Sequence, residues 1–151
     1  MTKNQDVVPF EDAKDLITDT KAFSLYRLEG GVLFFDYRDN IVVEIDDVKL
    51  AFDLYVEHSN NYSMKVLLAF GEFSSITVEA RKHAENKSMP TPAQAVVVRN
   101  LSQRMLARFY HLLRKDKHPL KFVKNVEEGL SWLDSVRHGG SQLDEDKELF
   151  H

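Results

Sequence analysis

Two continuous apolar runs with a polar, helix-like stretch between them constrain the fold of this chain more than any other part of its sequence. The runs are KVLLAF at 65–70 and AQAVVV at 93–98, and ITVEARKHAEN at 76–86 separates them. Runs without regular polar alternation are typical of strands covered on both faces, as parallel strands are. The segment therefore predicts a strand, a crossover helix and a parallel strand at the centre of an α/β sheet.

A hairpin is predicted before this central unit. Residues 22–37 contain the stretches SLYRLE and VLFFDY, separated by Gly30 and Gly31. A glycine pair permits the positive φ angles of a tight turn, so we expect two antiparallel strands here. A short extended piece at 41–45 follows, and it runs into Asp46, which can cap the next helix.

Two further helices and one strand are predicted after the central unit. Asn100 or Ser102 can cap a helix with one apolar stripe. The stripe consists of Leu101, Met105, Phe109 and Leu112. LKFV at 120–123 predicts a fifth strand, and Asn125 with Glu128 has the capping-box spacing that precedes a last helix. We expect one mixed sheet of about five strands that starts with the antiparallel hairpin, with about four helices packed on it.

The two ends of the chain are predicted to lie outside this sheet. Residues 1–21 read as an N-terminal arm or a short helix, because apolar residues, Leu16 and Ile17 among them, recur at helical spacing. Residues 138–151 read as an acidic, polar tail. The predicted α/β domain accordingly spans 22–137.

The composition argues against several functional classes. The 151 residues include no cysteine, which excludes disulfides, thiolate metal sites and thiol nucleophiles and suits a reducing compartment. A net charge of -4 disfavours nucleic-acid binding, which usually needs a basic surplus. No window approaches the ~20 apolar residues of a membrane span, and no metal-site spacing or nucleotide-binding loop is present. We expect a cytoplasmic protein with no enzymatic activity, no metal and no cofactor.

The order of the predicted elements resembles that of STAS-type domains, which sulphate transporters share with the bacterial anti-sigma-factor antagonists. Four features carry the resemblance: the hairpin at 25–37, the extended piece before Asp46, the strand VLLAF with its polar loop and helix, and the ending LKFVKNVEEGLSWL. The closer likeness is to stand-alone bacterial STAS/SEC14-like proteins, whose chains similarly end in a strand, a polar turn and an E-x-A/G-L-x-W-L helix, here at 127–133. The resemblance covers roughly 22–136 and implies a STAS-like fold, whereas function has to be argued from the site.

The loop after the central strand departs from the pattern of this family. In the antagonist proteins this loop carries an Asp-Ser-Ser-Gly motif, whose serine a partner kinase phosphorylates. The corresponding stretch here is GEFSSIT at 71–77, which lacks the motif. Ser74, Ser75 and Thr77 are the candidate interaction or regulatory residues of the loop. Thr77 could accept a phosphate at a helix N-terminus, but we favour its role as the N-cap.

A basic cluster follows the second apolar run of the central unit. It comprises Arg99, Arg104, Arg108, Arg114, Lys115 and Lys117. Such a cluster can bind an anionic head group, a phosphoprotein or an acidic partner. It fits equally the solvated face of an amphipathic helix with cations near its C-terminus. Arg99, Arg104 and Arg108 are retained as a candidate anion or partner surface.

Two functions of different class follow from these observations. The first is a non-enzymatic STAS-like interaction or regulatory module that binds protein partners or itself, using helix faces beside loop 71–77. The second, which the SEC14 likeness implies, is a carrier or sensor of a small apolar or lipid-like ligand. Its cavity would be lined by aromatic residues such as Phe34, Phe52, Phe70 and Phe109. The same aromatic residues also fit a closed core, so a pocket beneath Phe70 is the feature to look for.

Overall fold

The computed structural model describes residues 14–87, 90–100, 103 and 118–136. Within these residues the chain forms eight strands and three helices. The strands are β1 Lys14–Asp19, β2 Phe23–Leu28, β3 Val32–Tyr37, β4 Val42–Val43, β5 Lys65–Ala69, β6 Ser75–Ile76, β7 Gln94–Val97 and β8 Leu120–Val123. The helices are α1 Ile45–His58, α2 Val78–Asn86 and α3 Val126–Ser135.

The main sheet has six strands in the order β1-β2-β3-β5-β7-β8. β1, β2 and β3 are antiparallel, while β3, β5, β7 and β8 run parallel to one another. The turn between β2 and β3 contains Gly30 and Gly31 at φ angles of 86° and 76°, which L side chains rarely adopt. β5, α2 and β7 form the predicted strand, crossover helix and parallel strand. The α/β fold, its antiparallel start and its parallel centre are thus confirmed.

The strand count differs from the prediction of one sheet with about five strands. β1 adds a sixth strand to the main sheet, and β4 and β6 pair in a separate two-stranded sheet. The short helix considered for the N-terminal segment is wrong at Lys14–Asp19, which is β1. Leu16 is 55% exposed, so burial of an apolar helical stripe does not organise this segment. Pairing with the edge of β2 decides its conformation instead.

The helix count also differs from the prediction. Three helices lie in the described residues, and the fourth predicted helix, which follows β7, lies almost entirely outside them. The predicted cap of α1, Asp46, is wrong. The N-cap is Glu44, whose N–H donates to Oδ2 of Asp47 at 2.8 Å. Asp47 is 4% exposed and also accepts the ammonium of Lys21 at 3.1 Å, so contacts with residues distant in sequence decide which carboxylate completes the cap.

Helices cover both faces of the parallel strands. The face that packs on α3 includes the buried residues Phe34, Leu67, Ala95, Val97 and Trp132. The face that packs on α1 and α2 includes the buried residues Leu33, Phe35, Val66, Tyr55 and Ala80. Successive residues of a strand point to opposite faces, so Phe34 and Phe35 lie in different halves of the core. Burial on both faces explains why the central runs are apolar throughout.

The first residue of β5 holds the end of α3. The ammonium of Lys65 donates to the carbonyl oxygens of Leu133 and Val136, at 3.1 Å to the latter. Carbonyls at a helix C-terminus lack partners within the helix, and a cation there interacts favourably with the negative end of the helix dipole. At the start of α3, Oδ1 of Asn125 accepts the N–H of Glu128 at 2.8 Å, which confirms the predicted cap. The helix is therefore fixed at both ends.

Replacing Lys65 by Met should lower the free energy of unfolding by about 1.5–3 kcal/mol, because two carbonyl oxygens lose a charged donor. Equilibrium unfolding in urea measures the loss. Lys121→Met is the matched control, since Lys121 is also half-buried on a strand and its ammonium makes no hydrogen bond or ion pair described in this part of the chain. Equal losses in the two variants would show that the contact with α3 is not responsible.

Candidate functional site

The loops that follow β3 and β5 lie side by side at the carboxyl end of the parallel strands. The N–H of Asn40 donates to the carbonyl oxygen of Glu72 at 2.9 Å, and the N–H of Glu72 donates to Oδ1 of Asp39 at 2.8 Å. The hydroxyl of Ser74 donates to the carbonyl oxygen of Arg38 at 2.7 Å. Open α/β sheets place their binding sites at the carboxyl ends of strands, so this pair of loops is the first candidate site.

The small sheet of β4 and β6 extends the contact between these two loops. Val42 pairs with Ser75, and Val43 pairs with Ile76, in parallel. The extended piece at 41–45 was predicted, but its partner strand was not. β6 is only two residues long and lies in a stretch that reads as a polar loop. Its extended conformation depends on β4, which is distant in sequence and brought near only by the main sheet.

Gly71 allows the two loops to approach one another closely. A Cβ atom on this residue would lie 2.2 Å from the carbonyl oxygen of Arg38 and 2.5 Å from the nitrogen of Asp39. Both of these are backbone atoms, which cannot move aside as a flexible side chain can. Position 71 therefore requires glycine for space. The hydrogen bonds of loop 71–77 are formed at this close approach.

The three predicted regulatory residues of loop 71–77 lie in different environments. Ser74 is half-buried, and its hydroxyl donates a hydrogen bond to the carbonyl oxygen of Arg38. Ser75 has an exposed side chain on β6. Oγ1 of Thr77 accepts the N–H of Ala80 at 3.1 Å, which confirms Thr77 as the N-cap of α2. Phosphorylation of any of the three stays a prediction.

Sequence reasoning did not single out Phe73, although it is the most exposed large apolar side chain among the described residues, at 84%. It adopts a φ of 57°, in the left-handed region. Val42 and Val78 are exposed on the flanking segments. We call these three residues the apolar edge. The only signal in the sequence was a phenylalanine within an otherwise polar loop.

Acidic side chains accompany the apolar edge. Asp39 lies on the loop whose backbone pairs with Glu72, the residue before Phe73. Glu79 follows Val78 in the first turn of α2. All three carboxylates are exposed. The surface therefore combines an apolar centre with negative charge.

The loop after β7 also contacts loop 71–77. Oδ1 of Asn100 accepts the N–H of Gln103 at 2.9 Å, and Oε1 of Gln103 accepts the N–H of Arg99 at 2.9 Å. The side-chain amide of Gln103 donates to the carbonyl oxygen of Gly71 at 3.1 Å. Asn100 thus accepts the hydrogen bond expected of the predicted cap, while the helix it was predicted to cap lies almost entirely outside the described residues. Arg99 has an exposed side chain, while the other two residues of the predicted anion surface, Arg104 and Arg108, lie outside the described residues.

A cavity of about 210 Å³ lies on the sheet face that packs on α1 and α2. Its apolar lining is formed by Phe35, Tyr37, Val43, Val48, Ala51, Phe52, Val66, Leu68, Phe70, Ile76, Ala84, Val96, Val98 and Phe122. Phe52 and Phe70 line it as the sequence hypothesis expected. Phe34 does not, because it points to the α3 face, and Phe109 lies outside the described residues.

Polar and charged groups also line this cavity. The cations are Arg81 and Lys87. The imidazole of His118 also lines the cavity, and its Nε2 lies 3.0 Å from Oε1 of Gln94. Nε of Arg81 lies 3.9 Å from Oε2 of Glu85. The described lining contains no aspartate or glutamate.

One polar group of the apolar lining is held in its neutral form. Burial raises the pKa of the Tyr37 hydroxyl, and the charge of Asp47 raises the pKa further. A tyrosine hydroxyl is already protonated at neutral pH at its ordinary pKa. The raised pKa keeps Tyr37 neutral into the alkaline range as well, so it adds no negative charge to the cavity. The chemical character of the site is that of an apolar space with cations in its lining.

A metal site or a helix able to cross a membrane would each indicate a function. No cluster of three His, Asp or Glu side chains in the described residues is arranged to hold a metal ion. None of α1, α2 and α3 combines the length and the apolar character that a membrane crossing needs. The loops at the carboxyl end and the cavity are thus the two candidate sites in this part of the chain.

The order of elements defines an α/β domain of the kind that the STAS resemblance implies. The hairpin β2–β3, the extended β4 before α1, the strand β5 with its polar loop and α2, and the closing β8–α3 unit are all present. The chain belongs to the family named domain of unknown function DUF7793, whose model matches residues 26–137. No curated protein is similar enough to the chain to count as a relative.

The chain is also similar to a solved structure. That structure is an uncharacterized protein from the DUF3478 family with a SpoIIAA-like fold from Shewanella loihica PV-4. The two chains are 13% identical and superpose with a TM-score of 0.49. The alignment covers 80% of this chain and 92% of the other. The assignment of a STAS-like fold rests on the order of elements.

Replacing Gly71 by Ala should destabilise the fold by about 1–3 kcal/mol, because the new methyl group collides with the backbone of Arg38 and Asp39. Unfolding in urea measures the change. Glu72→Ala, at an exposed neighbouring position whose backbone bonds remain, should change stability by less than about 0.5 kcal/mol. A Gly71→Ala variant as stable as wild type would contradict the close approach.

Proposed function

We propose that this chain is a non-enzymatic interaction or regulatory module whose docking surface is the apolar edge. The observation that carries the proposal is the 84% exposure of Phe73 on a loop that hydrogen bonds hold in place. An aromatic side chain on ordered backbone is a favourable anchor, because little conformational entropy is lost when a partner covers it.

The backbone conformation of Phe73 supports this proposal. A left-handed φ costs a residue with a side chain about 1–2 kcal/mol relative to the ordinary helical region. The exposed ring recovers none of this cost by burial within the described part of the fold. Glycine or asparagine would serve the turn better. Folding therefore gives no reason for a phenylalanine at this position, whereas binding does.

The charges beside the apolar edge define the partner that fits it. Asp39, Glu72 and Glu79 are exposed near the edge. A protein with an apolar pocket for Phe73 and a basic rim would complement this surface in shape and charge. Such a partner could be a different protein, or a second copy of this chain could present its own basic residues. The oligomeric state distinguishes these two possibilities.

Phe73→Asn should abolish or weaken partner binding at least about tenfold, because the anchor side chain is lost. Asparagine tolerates the left-handed region, so the loop should keep its conformation. The measurements are capture from native lysate on immobilised protein and light scattering of the free protein. Val56→Gln, which changes an exposed apolar residue near the C-terminal end of α1, should leave binding unchanged.

Two outcomes would contradict the interaction proposal. In one, the wild-type protein is monomeric and captures no partner in stoichiometric amount. In the other, a partner or second copy is bound equally well by Phe73→Asn. A urea midpoint of Phe73→Asn equal to or above that of wild type shows that any loss of binding is not a loss of fold.

A second function, that of a carrier or sensor of a small apolar ligand, is favoured by the cavity. Its volume of about 210 Å³ and its largely apolar lining are properties of a binding site rather than of a closed core. It extends beneath Phe70 and the segment 74–76, which is the place that the sequence hypothesis indicated.

Protein purified under mild conditions should carry a stoichiometric small molecule in native mass spectrometry, released on denaturation. Ala84→Leu should carry none, because the larger side chain occupies the cavity. Lys82→Leu places the same side chain on the exposed face of α2 and should retain the molecule. Wild-type protein without any bound molecule, or retention by Ala84→Leu, would count against the carrier function.

A further inference from the structure

We infer that the cavity takes a small organic anion, whose apolar body is about the size of one ring and whose acidic group is bound by Arg81 and Lys87. This inference rests on the carrier or sensor function proposed above and adds the chemical class of the ligand. Three observations carry it: the volume of the cavity, the apolar character of most of its lining, and the sign of the charges in that lining.

The volume limits the size of the ligand. The cavity measures about 210 Å³, whereas an apolar cavity of about 150 Å³ is sufficient to bind benzene. Pockets for drug-sized molecules begin at about 300 Å³. The space therefore suits a single ring with one substituent, or a short branched chain, and it is too small for a lipid with two acyl chains. The lipid-like ligand of the carrier hypothesis is thereby restricted to molecules of this size.

The lining determines where the apolar body lies. Phe35, Leu68 and Val96 project from three adjacent parallel strands into the cavity, and Phe52 and Ala84 face them from α1 and α2. Transfer of a ring from water to such a surface is favourable in proportion to the apolar area buried. Polar groups in the body of the ligand would lack partners along this part of the wall.

The charges of the lining determine the sign of the charge that the ligand carries. Arg81 and Lys87 line the cavity together with His118, and the described lining contains no carboxylate. This is a local excess of positive charge in a chain whose formal net charge is -4. Glu85 offsets part of the charge of Arg81 at 3.9 Å, whereas no carboxylate of the described residues forms an ion pair with Lys87. An anion gains from both cations, a neutral molecule gains from neither, and a cation is repelled.

The experiment compares four probes on the full chain: benzoate, benzyl alcohol, benzylamine and hexadecanoate. Ligand-observed NMR titration gives the affinities, and methyl shifts of Leu68 and Val96 give the location. Benzoate should bind about fivefold more tightly than benzyl alcohol, as a partly exposed ion pair permits. Benzylamine should bind more weakly than the alcohol, and hexadecanoate should not saturate the site.

Variants connect the affinities to the proposed residues. Arg81→Gln combined with Lys87→Met should reduce benzoate binding about fivefold, to the level of benzyl alcohol, and leave the alcohol unchanged. The matched control, Lys82→Met, removes an exposed cation of the same helix that does not line the cavity, and it should alter neither probe. Ala84→Leu should abolish binding of both probes, while Lys82→Leu should not.

The outcomes separate this inference from the carrier function on which it rests. Benzyl alcohol or benzylamine bound as tightly as benzoate would overturn the anionic class but leave a ligand cavity. Saturable hexadecanoate binding would overturn the size limit. Binding that survives Ala84→Leu would place the site elsewhere. Absence of binding by all probes, together with native protein that carries no ligand, would overturn both proposals.

Discussion

The burial of the parallel strands on both faces is the constraint on which the rest of the structure depends. β3, β5 and β7 carry apolar side chains on each face, so helices have to cover the sheet on both sides. α3 covers one face, and α1 and α2 cover the other. The crossover connections that parallel strands require bring successive loops together at the carboxyl ends of the strands. Loop 71–77 meets the loop after β3 there, and Gly71 makes the contact close enough for hydrogen bonds.

The two candidate sites are connected through one short segment. Ser74, Ser75 and Ile76 line the cavity, and the residue before them is the exposed Phe73. A protein partner on the apolar edge and a small molecule in the cavity would therefore contact the same segment from different sides. The two proposed functions are compatible in space. The cations of the cavity lining and the exposed carboxylates beside the apolar edge differ in sign, so the two proposed functions call for ligands of opposite charge.

Local patterns in the sequence predicted the elements that local interactions stabilise. The glycine pair of the hairpin, the N-caps Thr77 and Asn125, and the apolar runs of β5 and β7 were recognised because each depends on residues near in sequence. β1, β6 and the cap of α1 were not, because each depends on a partner that folding brings near. The prediction of Phe34 as a cavity residue was wrong for the same reason, since its neighbour Phe35 lines the cavity instead. Neighbours in a strand have the same chemical character, and the sheet decides which face each one meets.

The sequence by itself determined the α/β class, the parallel centre and the absence of the switch-serine motif, since periodicity, turn residues and motif letters are properties of short segments. Only the tertiary structure decided that Phe73 is exposed on a fixed loop, that Phe52 and Phe70 border a cavity, and that Arg81, Lys87 and His118 line it together. Exposure and convergence depend on distances between segments far apart in the chain. The interactions that set those distances, the packing of helices on a sheet and the close approach of two loops, exist only in the folded molecule.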